Sequence, residues 1–156
     1  MRQRLSLLFA SGLFVGFIPG APGTYASVLT SLVLYLLTAQ PARRLPPELH
    51  ASLLALGVVL GVLASERVCR SRGVSDPSYI VLDEILGQLA TFFYVPLTPL
   101  NLVLGTFLFR ILDIFKPFGI RRLENLPHGV GILADDLAAG ILACAALHGM
   151  NLLSYH

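Results

Sequence analysis

Long apolar stretches recur along this chain, and they constrain its fold more than any other feature. Short polar groups separate them, and they cover residues 26–39, 50–64, 85–95, 100–115 and 130–153. Charged residues make up 13% of the chain, whereas a soluble domain carries about 25%. This composition excludes intrinsic disorder and argues against a soluble globule. We therefore predict an all-α, polytopic membrane bundle of about four to five transmembrane helices, forming a single domain over residues 1–156.

The apolar segment at the N-terminus differs from the others because glycines interrupt it. Residues 5–18 contain Gly12 and Gly16, and Gly20 follows shortly after. We expect this segment to form an interfacial or re-entrant helix. Most of the other stretches are also shorter than the roughly 20 residues that a perpendicular span needs. Some of them are therefore expected to be half-helices within the bundle.

The distribution of Lys and Arg indicates the orientation in the membrane. With the N-terminus inside, nine of the eleven basic residues are cytoplasmic, as are the loops 66–80 and 114–129. The positive-inside rule favours this arrangement. The net charge is only +2 and the basic residues occur in small groups, which argues against nucleic-acid binding. Six of the nine acidic residues then fall at cytoplasmic ends of apolar segments: Asp76, Asp83, Glu84, Asp113, Asp135 and Asp136.

Carboxylates gathered at one membrane face need a compensating charge. An unpaired carboxylate inside a membrane helix costs about 2.5 to 3.5 kcal/mol, and several together also repel one another. Protons, arginines or metal ions can offset this cost. Asp135 and Asp136 are adjacent, follow a glycine-containing stretch expected to be flexible at 129–131, and precede small residues. Such a pair resembles a Mg²⁺ site, because Mg²⁺ prefers a few carboxylates together with waters and phosphate oxygens.

The segment with Asp76, Asp83 and Glu84 is predicted to be one helix. Asp76 precedes Pro77, a combination typical of a helix start. Asp83 and Glu84 would then lie two turns into the helix, before an apolar run that continues to residue 95. A capping role for Asp76 and a salt bridge for the other two acids remain open as structural explanations.

A second group of charged residues repeats every three positions. Arg110, Asp113 and Lys116 lie on one side of a helix that is predicted to end at Lys116, since Pro117 disfavours helical geometry at the preceding residue. Arg110 and Asp113 are either an intrahelical pair or part of a site. Lys116 can hold a phosphate as a point charge, and Arg122 can recruit an anionic headgroup or anchor the chain.

The start of the apolar stretch at 26–39 is a further candidate. Pro22, Gly23 and Thr24 come just before it. Thr24 is either a helix N-cap or part of a helix N-terminus whose N–H groups bind phosphate.

Four groups of motifs, taken in order, resemble one known family. They read APGT at 21–24, DPS at 76–78 with VLDEI at 81–85, FRILDIFKP at 109–117, and GVGILADD at 129–136 with AG at 139–140. In order and spacing they resemble the bacterial phosphatidylglycerophosphatase A proteins over most of residues 21–141. The departures are Leu82, where that family commonly has Trp, Ala26, near which it usually has Gly, and His128, where a glycine is expected. None of these departures removes a carboxylate.

The resemblance implies a Mg²⁺-dependent phosphatase of the bacterial inner membrane. It would remove the terminal phosphate of phosphatidylglycerophosphate at the cytoplasmic face and give phosphatidylglycerol. The implied Mg²⁺ ligands are Asp76, Asp83, Glu84, Asp135 and Asp136. The implied catalytic residues are Asp83, Glu84, Asp113, Lys116 and Asp136, and the implied substrate-binding residues are Thr24, Arg110, Lys116 and Arg122. Whether water or an aspartate is the nucleophile stays open, as does the oligomeric state.

Two other functions are compatible with this composition. An ion- or proton-coupled transporter with a carboxylate relay predicts acids at several membrane depths and repeated halves. A scaffold that binds anionic lipid through its arginines leaves the acidic cluster unexplained. The acids gather at one face and no repeat is visible, so the sequence favours the phosphatase.

Overall fold

The described chain is built from helices alone. The computed structural model describes residues 2–38, 44–74, 77–127 and 129–154. Over these ranges no β-strand forms, and the six α-helices are α1 (Arg2–Ala10), α2 (Pro22–Leu37), α3 (Pro47–Arg72), α4 (Leu82–Thr91), α5 (Pro99–Phe115) and α6 (Gly129–Ser154). Two short 3₁₀ helices cover Val15–Phe17 and Ile120–Asn125. The all-α prediction is confirmed.

The bundle is organised around α6. Helices α3, α4 and α5 pack against it, and α2 lies against α4 and α5. At the crossing of α4 and α6, a Cβ on Gly140 would overlap the carbonyl oxygen of Gly87. Small residues let helix backbones approach closely, which is a main way that helices associate in lipid. The aromatic ring of Phe109 is fully buried beside this crossing, and that of Phe92 is buried against Gly105 of α5.

Two of the described helices are long and apolar enough to cross a membrane. They are α3, with 26 residues, and α6 over Gly129–Leu153. Helix α2 has 16 residues, α4 has 10 and α5 has 17, so each is shorter than a perpendicular span. The predicted count of four to five transmembrane helices is therefore not confirmed, because several apolar stretches form shorter helices than a span needs.

The N-terminal apolar segment is not one continuous helix. Helix α1 ends at Ala10, and the next turn contains Gly12, Leu13 and Phe14, all with positive φ. Such angles are incompatible with a right-handed helix. In place of a single helix over 5–18, a nine-residue helix packed against α3 is followed by a turn and a short 3₁₀ helix. The interfacial or re-entrant placement of this segment stays a prediction.

The helix that carries Asp83 and Glu84 begins later than the sequence predicted. It starts at Leu82, so both acids lie in its first turn and not two turns in. Just before it, the Val81 N–H donates to the Ala10 carbonyl oxygen at the end of α1, at 3.0 Å. This hydrogen bond holds the residues just before Leu82 in an irregular turn, although the sequence predicted a helix there.

Candidate active site

A large cavity lies where the acidic ends of the helices meet. Its volume is about 910 Å³. The walls come from the starts of α2, α4 and α6, the last turns of α3 and α5, and the loop between α5 and α6. Seven of the eight acidic residues that the structure describes line it: Glu66, Asp83, Glu84, Asp113, Glu124, Asp135 and Asp136. Three basic residues line it as well, namely Arg70, Arg110 and Lys116.

Three of these carboxylates are close enough to share a cation. One oxygen from each of Asp83, Glu84 and Asp136 lies within 4.8 Å of the other two. The first two come from α4 and the third from α6, so the close glycine crossing of these helices holds the group together. Glu84 Oε2 and Asp136 Oδ2 are buried, and neither has a hydrogen-bond partner among the described residues. Buried oxygens without partners are costly, and a bound cation would satisfy them.

The short helix α4 holds its two acids in an environment that disfavours full ionisation. Burial raises the pKa of Asp83, and the neighbouring Glu84 and Asp136 carboxylates raise it further. Burial also raises the pKa of Glu84, although a hydrogen bond with Asp83 and the Arg110 charge partly offset this. A positive charge among these side chains would allow all of them to ionise.

Arg110 lies between two acids of the cavity. Its Nη1 is 2.7 Å from Asp113 Oδ2 and 3.6 Å from Glu84 Oε1. The first contact is the intrahelical pair that the sequence allowed, and the second joins α5 to α4. A Cβ on Gly23 would overlap the Glu84 carboxylate and lie 3.1 Å from Arg110 Nη1. The N-terminus of α2 therefore packs directly against this pair.

Lys116 joins the end of α5 to the start of α6. Its Nζ donates to Asp135 Oδ2 and, at 2.7 Å, to Glu124 Oε1. Burial lowers the pKa of Lys116, but the two carboxylates outweigh this effect and raise the pKa above its ordinary value. The ammonium is therefore charged. Lys116 itself has φ 46° at the C-cap of α5, which confirms the helix end that Pro117 predicted.

Most of the predicted site residues meet in the cavity, two of the described ones do not, and one lies outside the described residues. The residues that line it are Asp83, Glu84, Arg110, Asp113, Lys116, Asp135 and Asp136. Neither Thr24 nor Arg122 is among the described residues of its walls. Thr24 is not the N-cap of α2 either, since that helix starts at Pro22 and its N-cap is Ala21. Asp76 lies outside the described residues.

Three charged residues of the cavity wall were not predicted from the sequence. Glu66 and Arg70 form an ion pair of 2.5 Å along α3, and Glu124 binds Lys116. The spacing of four between Glu66 and Arg70 indicates a helical ion pair, but it carries no sign of the cavity. That wall forms only when α3 packs against α6. Glu124 lies in the short 3₁₀ helix Ile120–Asn125, which has no apolar periodicity in the sequence.

Comparisons with known proteins show consistent similarity. The sequence model of the family described as Phosphatidylglycerophosphatase A matches residues 8–151. The phosphatidylglycerophosphatase A of Escherichia coli is 34% identical over 143 residues, which cover 90% of this chain and 80% of that protein. That of Haemophilus influenzae is 34% identical over 138 residues, covering 87% and 82%. A protein of Bacteroides thetaiotaomicron with the provisional name phosphatidylinositol-3-phosphatase is 36% identical over 148 residues, covering 88% and 87%. No solved structure shows a significant match.

Proposed function

The chain belongs to the phosphatidylglycerophosphatase A family of phosphatases, and from this premise we propose that it hydrolyses the terminal phosphate of phosphatidylglycerophosphate. The products are phosphatidylglycerol and inorganic phosphate, in phospholipid biosynthesis. One observation on the chain's own residues supports this proposal. Three carboxylates cluster in a cavity beside two cations, Arg110 and Lys116, that carboxylates hold in place.

The proposed reaction depends on Mg²⁺ held by Asp83, Glu84 and Asp136. Carboxylate oxygens are the ligands that Mg²⁺ prefers, together with waters and substrate phosphate. The buried, unpartnered oxygens of Glu84 and Asp136 support this assignment. Asp135 also has a buried oxygen, Oδ1, without a hydrogen-bond partner among the described residues. Asp135 can therefore bind Mg²⁺ through Oδ1 while its other oxygen binds Lys116. When bound, Mg²⁺ would neutralise phosphate charge and lower the pKa of an attacking water.

Arg110, Lys116 and the start of α2 are proposed to bind the phosphoryl oxygens. Asp113 fixes the Arg110 guanidinium at 2.7 Å, and Asp135 fixes the Lys116 ammonium. Cations that are oriented before the reaction stabilise developing charge without reorganisation. The N–H groups in the first turn of α2 add a partial positive charge beside Arg110. Together these groups would hold the phosphate while its bond to the glycerol oxygen breaks.

The cavity is proposed to open at the cytoplasmic face of the bacterial inner membrane, with the bundle crossing the bilayer several times. Helices α3 and α6 have the length of a span. The shorter helices α2 and α5 expose apolar side chains, such as Leu37 and Val103, both 68% exposed. Apolar surfaces of this kind suit contact with lipid. The positive-inside count supports the cytoplasmic orientation.

A transporter with a carboxylate relay finds less support. A relay needs ionisable groups at several depths along a pathway. Of the eight acidic residues that the structure describes, only Glu48 lies away from the cavity, at the start of α3. Seven of these eight acids therefore form one site and not a path.

Phosphate release by the purified full chain in detergent, with Mg²⁺ present, tests the proposed substrate. We expect release from phosphatidylglycerophosphate with kcat/KM about tenfold or more above that for phosphatidylinositol 3-phosphate. The second lipid is included because one relative carries a name of that kind. An Asp83→Asn variant prepared in parallel measures contaminating phosphatase. Folded protein that releases no phosphate from phosphatidylglycerophosphate would contradict the proposal.

A further inference from the structure

A polar cluster below the cavity, with Gln88 and Ser31 buried and Thr106 half-buried, takes no part in the chemistry proposed above. Gln88, in α4, is fully buried, and its Nε2 donates to Ser31 Oγ at 2.7 Å and to Thr106 Oγ1 at 2.8 Å. The two hydroxyls are themselves 2.7 Å apart. Ser31 belongs to α2 and Thr106 to α5, so three helices meet through one side chain each. We call these three residues the Gln88 cluster.

Two members of the cluster lie one helical turn from charged residues of the cavity. Gln88 is four residues after Glu84 in α4, and Thr106 is four residues before Arg110 in α5. Residues four apart share a helix face. Fixing Gln88 against Thr106 therefore sets the rotation and the register of α4 against α5. That register determines how Glu84 and Arg110 face each other.

On α2 the connection to the cavity is a chain of hydrogen bonds. The Ser31 hydroxyl donates to the Ser27 carbonyl oxygen at 3.0 Å, and the Ser27 hydroxyl donates to the Gly23 carbonyl oxygen at 2.8 Å. Gly23 is the residue whose backbone packs against Glu84 and Arg110. The cluster thus reaches the cavity wall on all three helices.

Stability alone does not account for these polar side chains. The Gln88 Oε1 atom is buried and has no hydrogen-bond partner among the described residues. Apolar side chains of similar shape can replace a buried hydrogen-bonded pair at little or no cost. Hydrogen bonds differ from apolar contacts in that they require a defined direction, so they fix one arrangement of the helices.

We propose that the Gln88 cluster is a positioning device for the cavity. It holds α2, α4 and α5 in the one register in which Glu84, Arg110 and the Gly23 backbone meet around the phosphate and its Mg²⁺. This inference rests on the proposed function, because the register is needed for that reaction. A displacement of about 1 Å at a reacting group can cost about 10²-fold in rate.

Two threonine variants of equal chemistry test the inference. Thr106→Val removes a hydroxyl of the cluster. Thr91→Val is the matched control, because Thr91 is fully buried in α4 and its hydroxyl donates to the Gly87 carbonyl oxygen of the same helix, at 2.9 Å. We expect Thr106→Val to lower kcat about tenfold or more. We expect Thr91→Val to stay within about twofold of the parent chain, since it leaves the contacts between helices in place.

A second readout does not depend on turnover. Mg²⁺ is expected to raise the unfolding temperature of the parent chain in detergent. In Thr106→Val and in Gln88→Leu, the same rise in unfolding temperature should need about tenfold more Mg²⁺, because Glu84 is no longer held in place. Should Gln88→Leu fail to fold, Thr106→Val supplies the answer alone.

The results separate this inference from the proposed function. If both cluster variants turn over and bind Mg²⁺ like the parent chain, the cluster is only structural and the inference is overturned, even where the unfolding temperature falls. A parent chain that releases no phosphate but gains stability with Mg²⁺ contradicts the proposed function, while the Mg²⁺ titration still decides whether the cluster positions Glu84. A parent chain that does neither overturns both.

Discussion

Two kinds of carboxylate share the cavity. Asp113 and Asp135 are each paired with a cation, the first of them at 2.7 Å from Arg110. Asp83, Glu84 and Asp136 face one another, with oxygens within 4.8 Å, and Glu84 is also 3.6 Å from Arg110. The paired acids offset the cost of burying Arg110 and Lys116, whereas the facing acids leave negative charge to be neutralised. A phosphate is complementary to Arg110 and Lys116, which the paired acids hold, and a divalent cation is complementary to the facing acids. These are the two halves of the cavity.

Neutral variants of one acid from each half test these roles. Glu84→Gln removes a charge from the facing group, and Asp135→Asn removes the buried partner of Lys116. We expect both proteins to stay folded in detergent and to lose about 10²-fold or more in phosphate release, because charge stabilisation of the reacting phosphate is lost. Initial rates and thermal unfolding of the same preparations check this.

Glu124→Gln is the matched control for Asp135→Asn. Glu124 also binds Lys116, but its side chain is 46% exposed, and ion pairs at the surface contribute about 0 to 1 kcal/mol. Its activity should stay within about fivefold of the parent chain. Parent-like turnover in both Glu84→Gln and Asp135→Asn would refute the assignment of the cavity.

At the scale of elements, α4 is a short helix with both ends inside the protein. Its first turn carries Asp83 and Glu84, and side chains from longer helices meet carbonyl groups in its last turn and just after its end. His50 Nε2, from α3, is 2.8 Å from the Leu89 carbonyl oxygen, and His148 Nε2, from α6, is 3.2 Å from that of Phe93. A helix end in apolar surroundings needs such partners. This explains how a ten-residue helix can end within the bundle.

The ends of these elements show where prediction from the sequence succeeds. Pro117 predicted the end of α5 at Lys116 correctly, because a proline restricts its neighbour by local sterics alone. The predicted start of α4 was wrong, because the true start depends on the hydrogen bond from Val81 to Ala10, which joins segments that are far apart in the sequence. The glycines at 129–131 were expected to be flexible, yet they lie in α6. A Cβ on Gly129 would overlap the backbone of α3, so that glycine permits packing.

The crossing of α4 and α6 gives a prediction at this scale. A Cβ on Gly140 would overlap the Gly87 carbonyl oxygen, whereas one on Gly149, in the same helix, would meet nothing within 4 Å. Gly140→Ala should separate the helices, lower the unfolding temperature and reduce phosphate release. Gly149→Ala should be neutral or stabilising, since alanine is favoured over glycine in a helix by about 1 kcal/mol.

Thermal unfolding in detergent and initial rates of phosphate release, measured on both alanine variants, test this prediction. Equal unfolding temperatures and equal rates for the two would mean that the crossing does not hold the carboxylates together.

At the scale of the whole molecule, charge and apolar surface are separated. Seven of the eight acidic residues that the structure describes line one cavity, while α2, α3, α5 and α6 expose apolar side chains such as Leu32, Leu56, Phe107 and Leu152. Apolar content and charge counting predicted the helical class and the gathering of acids at one face. They did not give the lengths of the helices, because long-range contacts set where each apolar stretch bends or ends.

Cysteine labelling tests the proposed orientation. Single cysteines are introduced by Asn125→Cys in the loop before α6 and by Glu48→Cys at the start of α3, with Cys69 and Cys144 changed to Ala. We expect a membrane-impermeant maleimide to label Glu48→Cys in intact spheroplasts, and Asn125→Cys only after the membrane is opened, as the positive-inside rule requires. The reverse pattern would invert the topology.

We propose that a divalent cation, held by Asp83, Glu84 and Asp136, makes this cavity the active site of a phosphatase. The most direct measurement is phosphate release from phosphatidylglycerophosphate by the purified chain after EDTA treatment, with Mg²⁺ then added back in steps. Asp136→Asn is measured beside the parent chain. We predict that EDTA abolishes release, that Mg²⁺ restores it with saturation in the parent chain, and that the variant recovers less than about a hundredth of that rate. Release that persists in EDTA, or full recovery of the variant at the same Mg²⁺ concentration, would contradict the claim.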